Sequence, residues 1–238
     1  MAFKIVLESN EVDIGETELF HINKVDGNYL CFFKEVKFYD GYDHSYLKKD
    51  HFLNIKKGNG DTYLTSVYII DVASFSYETN MVAIASSDYN VSCNYINFYS
   101  EMVFSWNRND GAYSNWIDLS NEKKKIWLDL SFDWHGLQKK YIENDIIIDC
   151  SSITDIPSLY CCLGESFLGG RGYLGRNLDA LDDCLIDITH KNIKVIFNNS
   201  IQMLNSLNTE KNRKKYQEDY VSIIVDILKQ HGFVVELR

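Results

Sequence analysis

The sequence predicts two domains. The N-terminal one reads as mainly antiparallel β, a sandwich or a curled sheet, and the C-terminal one as α/β with three parallel strands and about four helices. Three observations point there. The 238 residues exceed the usual size of a single domain. Up to about residue 140 the chain is built of short alternating runs rich in β-branched and aromatic residues, separated by Gly/Asn/Asp turn signals. Beyond it, apolar strands alternate with helical patterns in the order strand, two helices, strand, two helices, strand, which favours a parallel sheet with helical crossovers. The domains are therefore placed at 1–140 and 141–238.

In the first domain the strand-like runs are 3–7, 29–33, 62–70 and 94–99, with turn signals at 26–28, 57–61 and 107–111. Ser120 opens a capping signal and charge run that leads into the apolar Ile126-Trp127-Leu128, a stretch that fits a strand or a short helix. Residues 133–140 read as a polar connector. In the second domain, strands are expected at 145–150, 193–197 and 233–237. Thr154 or Asp155 caps a helix with Pro157 in its first turn, and Gly169-Gly170-Arg171-Gly172 stops it. A short helix follows Asn199-Ser200, and a long one runs from about Tyr216 to His231 with Gly232 closing it.

Composition narrows the function classes. With 45% hydrophobic residues and one proline the chain can build a core. A net charge of −10 argues against generic nucleic-acid binding, which needs basic surface, and fits a basic protein partner or plain solubility. Residues 1–5 carry no secretory leader pattern, and no apolar run is long enough for a membrane span. Six scattered cysteines without ligand spacing read as free, buried thiols of a cytoplasmic protein. The six histidines show no paired ligand spacing, and the glycines from Gly164 to Gly175 lack a phosphate-loop Lys. No catalytic residue, metal or cofactor is assigned. The four tryptophans are expected in a β core.

The densest chemistry lies at Tyr173-Leu174-Gly175-Arg176-Asn177-Leu178-Asp179-Ala180-Leu181-Asp182-Asp183-Cys184-Leu185. A glycine loop runs into a short helix with Asp179, Asp182 and Asp183 on one face, opposite Leu178, Leu181, Cys184 and Leu185. Like charges at that spacing repel by roughly 0.2–0.5 kcal/mol per pair. Charge alone fits a solvated surface, with Asn177 as N-cap and Asp179 complementing the helix dipole. The run as a whole, however, resembles the signature of the barstar family, intracellular inhibitors of barnase-type ribonucleases, and the element order from about 143 to 238 resembles the barstar fold.

That resemblance implies a bacterial immunity or antitoxin protein, not an enzyme, whose acidic loop and helix plug the active site of a basic ribonuclease or toxin nuclease. Asp179 and Asp183 match the two aspartates that engage the enzyme, with Asp183 central; Tyr173, Asn177 and Leu178 match further motif positions. With Gly175, Asp182 and Asp187 they form the candidate partner-binding set. Two departures stand out. Asp182 occupies a position where an aromatic is usual, and Leu174 replaces a second aromatic. On the last long helix, Ile227, beside Asp226, stands where the resemblance expects a glutamate. A different class of reading makes the protein an adaptor or ligand-binding protein acting through residues 1–140, with the second domain as scaffold. A third is a hydrolase with its site between the domains.

Overall fold

The computed structural model describes residues 4–43, 51–57, 62–76, 80–87, 91–109 and 115–238. Residues 1–3, the turn signals at 58–61 and 110–111, and His44 lie outside the described residues. The chain divides into two compact units, Met1–Ser114 and Asn115–Arg238.

The first unit is an eight-stranded antiparallel sheet plus a helix. Its strands are β1 (Ile5–Ser9), β2 (Val12–Thr17), β3 (Leu19–Val25), β4 (Asn28–Lys34), β5 (Lys37–Phe38), β6 (His51–Lys57), β7 (Tyr63–Ser76) and β8 (Asn80–Ser86), in the order β3-β4-β8-β7-β6-β1-β2-β5. Alternation along the strands puts Ile5, Leu7, Phe20, Ile22, Cys31, Phe33, Leu53, Ile55, Val67, Met81 and Ala83 in the core. The Asp26-Gly27 signal makes a two-residue hairpin between β3 and β4, with φ of 49° and 84° and Val25 opposite Asn28. Of the two expected forms the sheet takes the curled one. β2 and β3 stand towards opposite ends of the strand order, yet only Glu18 separates them in the chain, so the sheet must bend round on itself. Thr17 pins that corner, its hydroxyl lying 2.7 Å from the Lys34 carbonyl and 3.0 Å from that of Leu19.

Residues 94–99 are not a strand. They belong to helix α1 (Cys93–Arg108), whose buried Ile96, Tyr99, Ser100 and Val103 follow helical spacing. The local β-propensity of Tyr95-Ile96-Asn97-Phe98 yields to tertiary packing against β3. Two polar side chains on that face complete the bonding of the edge strand. Ser100 Oγ accepts from the Phe20 amide at 2.7 Å, and Asn97 accepts from the Ile22 amide at 2.8 Å and donates to its carbonyl at 3.1 Å. An edge that would otherwise offer free backbone groups is thereby closed. The buried carboxylate of Glu8 is also fully bonded. Burial would raise its pKa, but bonds from Asn54 (2.6 Å), Lys56 (3.0 Å) and Tyr63 (3.2 Å) outweigh that and hold it below the ordinary value.

The second unit has α2 (Asn121–His135), β9 (Lys140–Ile142), β10 (Ile146–Asp149), α3 (Ile156–Leu168), α4 (Leu178–Ile186), β11 (Ile188–His190), β12 (Lys194–Asn198), α5 (Ser200–Leu207), α6 (Glu210–Tyr216), α7 (Tyr220–Gln230) and β13 (Val234–Leu237). The sheet β10-β12-β13 is parallel throughout, with the helices serving as crossovers, as the element order predicts. β9 and β11 form a separate parallel pair that the sequence reading did not anticipate. The expected long helix is α7, which starts at Tyr220 rather than at Tyr216. A further helix that the sequence reading did not anticipate, α6, precedes it and ends at Gln217, whose φ is +61°. Ser120 does cap a helix, accepting from the Lys123 amide, and α2 extends to His135, so residues 133–135 are helix and not the connector expected there.

α3 is the centre of this unit. Asp155 and Ser158 form a capping box, Pro157 lies in the first turn, and nine residues of the helix are buried. Among them Tyr160 meets the hydroxyl of Tyr220 on α7 at 2.7 Å. All six cysteines are free. Burial pushes Cys184 and Cys162 up to about 11 and Cys150 and Cys31 up to about 12, away from the reactive thiolate form. Among the described residues no helix is long and apolar enough to cross a membrane.

Candidate functional site

The loop after α3 is shaped by backbone contact. Gly164 on α3 and Gly172 in the loop approach so closely that a Cβ on Gly164 would lie 2.1 Å from the Gly172 carbonyl oxygen. Gly175 has φ of +91°, and a Cβ there would sit 2.6 Å from the Leu181 amide nitrogen. The loop is therefore held against both the helix it leaves and the helix it enters. Asn177 then starts α4 as its N-cap, accepting from the Ala180 amide at 2.8 Å.

On α4 the apolar side faces inward as the spacing predicts, with Leu181, Cys184 and Leu185 buried and Leu178 half-buried. Asp179, Asp182 and Asp183 are exposed, but they are not equivalent. Asp182 Oδ1 lies 2.8 Å from Nε2 of His231, the C-cap residue of α7, and pairs with it ionically when the imidazole is protonated. Asp187, at the far end of α4, is 3.7 Å from the exposed Lys139 ammonium, a contact of little energetic weight. Asp179 and Asp183, one turn apart, have no ion-pair partner among the described residues. The helix thus presents two open carboxylates in register, while Asp182 is tied back to the domain.

Tyr173 does not project. It is only 7% exposed, and burial pushes its phenol up to about 12, with the nearby Cys184 adding to the shift. Its ring stands 5.0 Å from that of Phe132 on α2. The neighbouring Arg176 reaches Asp129 of the same helix at 2.5 Å. Asp129, Phe132, Arg176 and His231 all escaped the sequence reading. For α2 the period is obscured because Ile126, Trp127, Leu128 and Leu130 are all buried, which gives a contiguous apolar run in place of a stripe. On α7, Asp226 is exposed and Ile227 half-buried. Among the described residues no group of three or more His, Cys, Asp or Glu side chains could hold a metal ion.

The cap and the contact roles of Asn177 separate experimentally. Asn177→Ala should cost about 1 kcal/mol of stability and Asn177→Asp much less, read from urea denaturation. An affinity loss for a partner well beyond that stability loss, seen in both variants, would assign the amide to the interface.

The comparisons with curated proteins and with solved structures return no match. A family model described as Barstar (barnase inhibitor) matches residues 144–234, a segment that contains α3, the glycine loop, α4 and α7. The parallel strands β10 and β12 and the helical crossovers lie within that stretch, which ends at the first residue of β13, and the chain carries a barstar-family domain in its C-terminal part.

Proposed function

We propose that the barstar-like domain, taken as residues 141–238, binds a basic ribonuclease or related toxin nuclease and occludes its active site. Asp183 is the central group and Asp179 its companion, placed where substrate phosphates would otherwise bind the enzyme's cationic residues. Charge-assisted hydrogen bonds to Arg and Lys hold such a complex, and the acidic face steers the encounter. The protein acts as an immunity partner in a bacterial cytoplasm and performs no catalysis of its own. Within the partner-binding set, Gly175 and Asn177 shape the approach to α4, Tyr173 and Leu178 back it, and Asp182 and Asp187 add charge at its rim.

The observation that carries this reading is the division among the aspartates. Asp179 and Asp183 are exposed without an ion-pair partner among the described residues, on a helix anchored by Leu181, Cys184 and Leu185. Asp179 complements the helix dipole in the first turn, but Asp183 lies beyond that turn and adds a like charge at i, i+4, from which folding gains nothing. The test is a pull-down from cells expressing candidate ribonuclease toxins, using the full chain and its Asp179→Ala/Asp183→Ala variant. The wild type should capture a basic nuclease and the variant should not. Equal capture by both would remove these carboxylates from the mechanism.

A further inference from the structure

Helix α2 precedes the 144–234 segment that matches the barstar model, so it is an addition to that domain. It nevertheless packs on α3 within the same compact unit. Its anchorage is independent of the loop. The buried Lys124 ammonium lies 3.2 Å from both Asp155 Oδ2 and Thr154 Oγ1 at the start of α3, while Ile126, Trp127, Leu128 and Leu130 are buried. Just before α2, Trp116 donates from its indole nitrogen to Glu165 Oε2 at 3.0 Å near the end of α3, and Glu165 Oε1 accepts from the Arg171 amide at 3.3 Å. The segment from Trp116 to α2 therefore bears on α3 at both ends.

Asp129 and Phe132 are one turn apart on α2, and each engages a different residue of the loop that leads into α4. Phe132 covers the ring of Tyr173, and Asp129 holds the guanidinium of Arg176. The glycine contacts fix this loop against α3 and α4, and α2 supplies side-chain contacts to it from a third element.

We infer that α2 is a positioning element of the inhibitory surface, with Phe132 and Asp129 holding residues 173–176 so that Asp179 and Asp183 are presented already ordered. This rests on the proposed inhibitor function, because only a binding surface benefits from the ordering. A loop that is fixed beforehand avoids the entropy cost of ordering its side chains on association, which shows chiefly as slow dissociation. Asp129 and Phe132 are partly exposed, so truncating them leaves the core of the unit in place.

The test uses the full chain, free and bound. In the free protein, backbone order parameters of residues 173–177 should stand near ~0.85 in the wild type and fall below ~0.6 in Asp129→Ala/Phe132→Ala, with the urea midpoint little changed. Dissociation of a nuclease captured by the wild type should accelerate by about tenfold in that variant, with association little affected. Phe132→Tyr, and the charge exchange Asp129→Arg with Arg176→Asp, should restore both readouts. Unchanged order parameters would overturn the inference. So would a loss of order throughout the domain with a falling midpoint, which would make α2 merely structural. Failure to capture any nuclease even with wild-type protein would overturn the inhibitor reading instead, and the order parameters would still decide whether α2 fixes the loop.

Discussion

Gly164→Ala should be the most damaging small substitution in the C-terminal unit. In an ordinary helix the change from glycine to alanine gains about 1 kcal/mol. Here the added methyl would stand 2.1 Å from the Gly172 carbonyl oxygen and 2.8 Å from its carbon, both backbone atoms that no rotamer change can move. Either α3 or the loop has to shift, and overpacking of that kind costs roughly 3 kcal/mol or more. Because the displaced segment leads directly into α4, binding should fall along with stability. Urea denaturation decides the sign. A stabilised Gly164→Ala protein would show that α3 and the loop do not approach as closely as the glycine pair indicates.

Asp183→Ala should act on the opposite quantity. The side chain is exposed and without an ion pair among the described residues, so its removal leaves stability unchanged or slightly raises it by relieving repulsion from Asp179. Affinity for the nuclease should drop by about a hundredfold or more, as for a central interface carboxylate facing cationic groups. Asp182→Ala, by contrast, should weaken binding by less than about fivefold, since that carboxylate is engaged with His231 in an exposed contact of small worth. Calorimetric titration of the three proteins would establish the ranking. Equal losses at Asp182 and Asp183 would mean that the pairing with His231 does not separate their roles.

Much of the fold is legible from local chemistry. Asp26-Gly27 names its own hairpin, the capping box at Asp155 and Ser158 starts α3 where the residues say it should, and Asn177 opens α4 by the same logic. The apolar and acidic faces of α4 follow from spacing alone. Tertiary packing dictates what local signals do not. Residues 94–99 alternate like a strand, but they continue into Met102, Val103 and Trp106, and the helix they form lies along β3. Ser120 announces a helix, yet the burial of consecutive residues in α2 erases the period that would have named it.

The candidate site follows the same division. The acidic run and its glycine loop can be read directly, whereas the inequality of the aspartates cannot. It depends on His231, 49 residues away from Asp182, and on the approach of α7 to α4. The covering of Tyr173 by Phe132 is equally invisible in sequence, because it joins the domain to a helix outside the family pattern. The first of these contacts restrains Asp182 and leaves Asp179 and Asp183 open, and the second fixes the loop that leads to them.

The proposed occupation of the nuclease's substrate site by Asp179 and Asp183 is what the inhibitory function turns on. Its most direct test is steady-state cleavage of an RNA substrate by the captured nuclease, at several substrate concentrations, with increasing full-length protein. Competitive occlusion makes the apparent inhibition constant rise linearly with RNA concentration, and the Asp179→Ala/Asp183→Ala protein should inhibit at least about a hundredfold less well. Inhibition that is indifferent to RNA concentration, or that survives loss of both carboxylates, would contradict it.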